Sequence, residues 1–239
     1  MATYNYNPCR LGDWVETVLV AVSVFVGEGR LITNLYIDGF NLYYRALRGT
    51  PFKWLDLQQL AENLFPEDTV NSIYYFTALL EARPHDPTQP QRQQVYLRAL
   101  RTLPGVQHFF GAFRSRNKRR PLVEPVPGLP THVWVRDSEE KGSDVNLATR
   151  LLVDGFKGRY EQAVVVSNDA DIAAAMRYVR DDLNLRVTVV NPDPRNSSPA
   201  ALSGSATRVK RLWKSHLRKS QFSQTLVDQV GTFRKPPSW

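Results

Sequence analysis

The chain has 239 residues and a formal charge of +8, with 42% hydrophobic and 23% charged residues. This is globular composition, long enough for one large domain or one domain with extensions around a real core. The single cysteine, Cys9, excludes an internal disulfide and a cysteine-built zinc site. Nothing asks for an oxidising compartment, so a cytoplasmic location is expected.

The charge is unevenly spread. From Ala206 onward there are eight basic residues and one acid, Asp228, so this tail carries +7 and the remainder +1. A basic tail on a near-neutral body suggests a polyanionic partner; a solubilising tail is the plainer alternative.

Near the N-terminus, "TVLVAVSVFV" (17–26) is apolar but about half the ~20 residues that a membrane span needs. Asp13 and Glu16 precede it and no clear small-residue cleavage site follows, so no membrane partner is expected. Residues 1–30 are read as an N-terminal extension contributing a strand or short helix.

"LITNLYID" (31–38) reads as a buried strand, followed after Gly39 by a helix beginning "NLYYRAL". Apolar residues at 57, 60, 61, 64 and 65 make a helical stripe, and "VNSIYYFTALL" (70–80) is strand-like. A helix over 88–103 ends at Pro104-Gly105, and "VQHFFGAF" (106–113) is a strand. The basic, then proline-rich run 114–130 reads as an exposed loop, and 131–141 returns as a strand. The clearest helix spans 144–157; strand 162–167, helix 171–183 and strand 185–192 follow. Residues 193–205 are a linker by composition, and 206–219 opens a basic helical extension that runs to 239. Alternating strands and helices imply an α/β fold: a three-layer α/β/α sandwich over residues 31–192 with a mostly parallel central sheet.

In such sheets ligands sit at the strand carboxyl ends, near the switch point of strand order. Asp38 ends the first strand, Asp169 follows the strand 162–167, and Asp171 opens the next helix. Asp144 starts its helix on the face of Leu147, Ala148 and Leu151; Asp171 is placed likewise with Ala174, Ala175 and Tyr178. Four carboxylates from three distant segments are thus expected on one rim. Unpaired, they would raise each other's pKa. Mg²⁺ or Mn²⁺ takes oxygen ligands, keeps several waters and suits a few carboxylates plus a substrate phosphate. Each acid alone is equally well read as a helix cap or turn residue; their common edge favours the site.

Taken together, "YIDGFNLYY", "EEKGSDVNLATRLL" and "VVVSNDADIAAAM", in this order and spacing, resemble the NYN domain family of PIN-like ribonucleases over about residues 31–192. The resemblance implies a metal-dependent ribonuclease that hydrolyses RNA phosphodiesters. It places Asp38, Asp144, Asp169 and Asp171 as the catalytic and metal-binding acids. Asn41 and Ser167 would hydrogen-bond the phosphate or the ligating carboxylates. Asn168 departs from the glycine of many members; it would fill space near the metal or tolerate a left-handed turn. Lys141 is a candidate phosphate contact and Glu140 a candidate to reach the pocket from the strand end, although an exposed polar side chain is the plainer reading for both.

RNA contacts are expected from Arg114, Arg116, Lys118, Arg119 and Arg120 in the basic run. Arg211, Lys214 and Arg218 would add to them from one side of the last helix, giving sequence-independent, salt-sensitive affinity. The alternatives kept are a catalytically silent RNA-binding or protein-interaction module of the same fold, and a DNA or flap nuclease. A haloacid dehalogenase-type phosphatase needs a second Asp two residues after the first; Phe40 stands there.

Overall fold

Strand β1 (Ile32–Asp38) is buried at every position but its first. It lies between two parallel neighbours, β2 (Thr69–Ala78) and β5 (Gln162–Val166). A strand covered on both faces is apolar at consecutive rather than alternate positions. Leu35 and Ile37 enter one core; Tyr36 enters the other.

The structure, a computed structural model, describes residues 30–239 apart from 85, 126, 127, 129 and 194. The expected N-terminal strand or helix lies outside the described residues. Residues Leu31–Trp239 form one compact unit. Its seven-stranded sheet has the order β4-β3-β2-β1-β5-β6-β7, completed by β3 (Val106–Pro121), β4 (His132–Lys141), β6 (Arg186–Asn191) and β7 (Arg208–Arg211). Every pair is parallel except β3–β4. Strand order reverses direction at β1, which sets the switch point between β1 and β5.

Helices cover both faces, as the expected α/β fold requires. They are α1 (Gly39–Leu42), α2 (Leu57–Leu64), α3 (Gln89–Leu100), α4 (Ser143–Phe156), α5 (Ala173–Asp181), α6 (Ala200–Ser203) and α7 (Lys214–Lys219), with a π turn at Tyr43–Leu47 and a 3₁₀ turn at Ala170–Ile172. One core joins α2 and α3 to the sheet through Leu57, Leu60, Leu97 and Leu100; the other joins α4 and α5 through Leu147, Leu151, Met176 and Val179. Asp154 of α4 is fully buried and fully used: it accepts from Tyr36 (3.0 Å), Arg150 (2.9 Å) and Arg159 (2.8 Å). Among the described residues, no helix is long and apolar enough to cross a membrane.

Two expectations are corrected. The basic run is not a loop. Residues 114–121 extend β3, which pairs antiparallel with β4 from Ala112↔Lys141 to Pro121↔His132. Its charge density imitates a loop, but Asp137 pairs with both Lys118 and Arg120 from across the ladder. Such cross-strand pairs offset the repulsion that would splay a basic strand.

The C-terminal segment is likewise not one basic helix. Residues 208–211 form β7, which pairs with β6 from Thr188↔Arg208 to Asn191↔Arg211, and the helix is confined to α7. Arg211 therefore sits on a strand, and only Lys214 and Arg218 share a helix. Parallel strands need a crossover between them, and residues 192–207 supply it. Within it Asp193 is buried and accepts from Asn196, and Leu202 of α6 is fully buried. A hairpin, β8 (Thr225–Asp228) and β9 (Gly231–Arg234), follows.

A candidate acidic site at the carboxyl edge of the sheet

The chain reaches one edge of the sheet by three routes. β1 ends there at Asp38, and β5 ends there just before Ser167. The third route is the antiparallel ribbon. β3 runs alongside β2 as far as Gly111, then projects beyond the sheet, and β4 returns antiparallel to end opposite Ala112. Glu140 and the start of α4, with Asp144, are thereby delivered to the edge where β1 and β5 end.

Asp38 is 6% exposed. One carboxylate oxygen caps α1 by accepting the Asn41 amide (2.9 Å); the other accepts the Ser167 hydroxyl (3.0 Å). Ser167 in turn accepts the Asp169 amide (3.1 Å), and Asp169 accepts the Asp171 amide (3.0 Å). The Asn41 side-chain oxygen accepts the Asn168 amide (3.1 Å). This lattice ties the first turn after β1 to the turn after β5, across 127 residues of chain. Gly39 makes the close approach possible, because a Cβ there would lie 2.6 Å from the Tyr75 ring and 2.8 Å from the Phe76 carbonyl.

The acids interact electrostatically. Burial pushes the Asp38 carboxyl up, opposed by the Asn41 and Ser167 hydrogen bonds and reinforced by Asp169 and Glu140. Asp144, on the first turn of α4, is pushed up to about 6 by burial first, then by Asp38, Asp169, Glu140 and Asp171. Of the residues expected to share an inward face with Asp171, Ala175 is buried, but Ala174 and Tyr178 are exposed, and so is Asp171. The buried side of this segment runs through Ile172, Ala173, Met176 and Val179, so the side that carries Asp171 looks outward.

Sequence reasoning underweighted Glu140. One of its oxygens accepts both the backbone amide (3.1 Å) and the hydroxyl (2.8 Å) of Ser143, capping α4. It fits because position 111 is glycine: a Cβ there would lie 2.1 Å from that oxygen. The available signal was an acid four residues before Asp144. Lys141 turns away, with its ammonium 2.7 Å from Glu139. Asn168 is not in a left-handed turn, since Asn184 is the only non-glycine residue with positive φ among those described. Its side-chain oxygen is buried without a hydrogen-bond partner among the described residues.

Among the described residues, no group of three or more His, Cys, Asp or Glu side chains is drawn together tightly enough to form a ready-made metal site. The chemistry of the donors still fits a hard divalent cation. They are all oxygens, two of them are carboxyls whose charged form is disfavoured as they stand, and Asn168, in the turn between Ser167 and Asp169, has a buried side-chain oxygen with no partner among the described residues. Mg²⁺ and Mn²⁺ take such donors partly through retained water, which tolerates carboxylates that are near but not touching.

Of the expected nucleic-acid contacts, Arg114, Arg116, Lys118 and Arg120 alternate onto one face of the ribbon. Arg119 lies on the other face, directly opposite Trp134, which is 74% exposed. Arg211, Lys214 and Arg218 are all exposed.

A stability test follows from Asp144. Its folded pKa lies above the ordinary 3.8, so the folded state holds the proton more tightly than the unfolded chain. The resulting stabilisation is fully present below 3.8 and is lost as pH rises through about 6. In EDTA-treated protein, Asp144→Asn should therefore raise the melting midpoint relative to wild type at pH 7 and not at pH 4. A pH-independent difference between the two proteins would refute the electrostatic origin.

A mostly parallel, helix-flanked sheet with acids at its carboxyl edge, near the switch point, is consistent with the fold of PIN-like NYN domains. The chain belongs to the NYN domain family, whose model matches residues 32–212. The match runs past residue 192 and takes in β7, the last strand of the sheet. A relative, 6-hydroxy-3-succinoylpyridine 3-monooxygenase HspA of Pseudomonas putida (strain DSM 28022 / S16), is 32% identical over 232 residues, covering 86% of this chain and 73% of that protein. A protein of unknown function, VPA0982 from Vibrio parahaemolyticus RIMD 2210633, superposes with a TM-score of 0.49 at 16% identity, covering 82% of this chain and 99% of that one.

Proposed function

We propose that the chain is a divalent-cation-dependent ribonuclease that hydrolyses RNA phosphodiesters at the acidic edge. The observation that supports this reading most is the gathering of acids from three distant segments at one edge: Asp38 and Asp169 are tied together through Ser167, and Asp144 and Glu140 lie close enough for their charges to act on that pair. Asp38, Asp144 and Asp169 would hold Mg²⁺ or Mn²⁺, with Asp171 at the exposed rim orienting water. The cation supplies a water of lowered pKa and offsets charge growing on phosphate oxygens. Asn41 and Ser167 hold the Asp38 carboxylate in place, and the Asn168 side chain offers an uncommitted polar group. Partners that fix a ligating carboxylate in this way typically matter 10–100-fold.

RNA would approach along the ribbon. Lys118 and Arg120 are offset by Asp137; Arg114, Arg116 and Arg119 are exposed, and Arg119 lies beside the exposed Trp134, a pairing suited to a phosphate and a base. Lys141 would have to leave its exposed pairing with Glu139 to reach a phosphate. The test is incubation of purified protein with single-stranded and structured RNA and DNA, with Mn²⁺ or Mg²⁺ and with EDTA. Cation-dependent RNA cleavage is expected; tight RNA binding without cleavage would instead support a silent binding module.

A second reading is favoured by the relative's name together with an aromatic cavity beside Asp38: an enzyme acting on a small heteroaromatic acid. No RNA cleavage, combined with chemical change of a hydroxypyridine acid, would put it in place of the first.

A further inference from the structure

A cavity of about 370 Å³ opens next to the acidic edge. Its walls are aromatic: Phe40, Tyr43 and Tyr44 from α1 and the π turn, Tyr75 from the end of β2, Tyr96 from α3, and Trp239. Gly39, the residue after Asp38, also lines it. Tyr75 links the two places, since burial and then the Asp38 carboxylate raise its phenol pKa. The volume falls within the range of small-molecule sites, about 300–1,000 Å³.

The local backbone is unusual at this wall. Tyr43–Leu47 is π-helical, a rare form that occurs mostly as single turns and frequently at functional sites. Side chains of consecutive residues diverge by about 100° around an α-helix. Here Tyr43 and Tyr44 both line the cavity, edge to face with centroids 5.3 Å apart. Tyr44 is 45% exposed although Phe40, Tyr43 and Arg48 pack on it, so part of a large ring stays open to a ligand. The hydrogen-bonding groups of Gln93 are committed, to the Ala78 carbonyl and the Leu80 amide, so its amide serves as a fixed wall. The charged side chains at the cavity are Lys53, Arg92 and Asp86; Asp86 and Thr88 hold Arg92. Flat aromatic walls favour a flat ring over an aliphatic ligand, and Lys53 and Arg92 offer positive charge to an oxygen or anionic substituent.

We propose that this cavity binds a single planar heteroaromatic ring carrying an oxygen or anionic substituent and holds it beside Asp38. That chemistry belongs both to a nucleobase within RNA and to a free heteroaromatic acid. The binding needs no cation at the acidic edge and stands independently of hydrolysis.

The experiment is calorimetric titration of the EDTA-treated full chain with nicotinate, uridine 5′-monophosphate and, as a non-aromatic control, cyclohexanecarboxylate. At least one ring probe is expected to bind, with the control at least about tenfold weaker. Tyr44→Ala should weaken ring binding by about tenfold or more at an unchanged melting midpoint, because this ring is half exposed. Arg92→Gln should weaken nicotinate more than the uncharged nicotinamide. Asp169→Asn, expected to stop RNA cleavage, should leave ring binding intact, so the two readings fail separately. Displacement of the bound probe by single-stranded RNA identifies a base subsite; binding indifferent to RNA identifies a free small molecule. The proposal is overturned if neither ring probe binds, if the control binds as well, or if Tyr44→Ala binds like wild type.

Discussion

Asp169→Asn should lower cation-dependent RNA cleavage by more than about 100-fold, because removing even a residue that merely supports a metal ligand costs about 10–100-fold. The substitution is nearly isosteric. It keeps an oxygen able to accept the Asp171 amide, so the turn after β5 stays capped. Asp169 also contributes to the repulsion that raises the Asp38 and Asp144 pKa values, so the metal-free variant should be no less stable than wild type. The decisive pairing is cleavage rate against melting temperature in EDTA. Loss of cleavage with a lower midpoint would indicate damage to the fold; retained cleavage would remove Asp169 from the machinery.

The largest stability effect should come from Trp54→Ala, at about 3–5 kcal/mol for a buried large aromatic. Trp54 is fully buried, and its indole N–H donates to the Ser223 carbonyl (2.8 Å). Tyr96, Phe222, Phe233 and Trp239 surround the ring, with centroids 5.5–6.5 Å away. Three of these four come from the C-terminal segment. Arg98 of α3 adds a two-pronged pair to Asp228 (2.7 Å each) and stacks on Phe233 at 4.2 Å. If this segment is an integral wall of the core, guanidinium unfolding of Trp54→Ala remains a single transition with a lower midpoint. Phe233→Ala should then lower the midpoint in the same way. A Phe233→Ala protein as stable as wild type would return the segment to the status of a solubilising tail.

How the sequence misleads here is instructive. The basic tail has the charge of a nucleic-acid arm, and Val209, Leu212 and Trp213 lie three and four residues apart, a helical spacing. What holds the segment is a set of contacts to residues far back in the chain: β6 for β7, Trp54 for Phe222 and Phe233, and α3 for Asp228. The basic run at 114–120 fails for the same reason, since its strand character comes from pairing with 132–141 across a connection whose composition suggests a loop. Glu140 reads as an exposed polar residue because nothing near it in sequence shows that Gly111 leaves room for its carboxylate.

By itself, the sequence determined the alternation of strands and helices, the consecutive apolar runs of the central strands, and the location of Asp38, Asp144 and Asp169 at element ends. These follow from local periodicity and from the topology that periodicity implies. Only the tertiary structure decided that β4 returns along a projecting ribbon to bring Glu140 and Asp144 to that edge, that the basic tail closes the sheet and one core, and that six aromatic residues from separate segments enclose a cavity beside Asp38. The physical reason is that antiparallel pairing, an edge strand and a cavity wall are each made by residues far apart in the chain, whose mutual placement leaves no period in the local sequence.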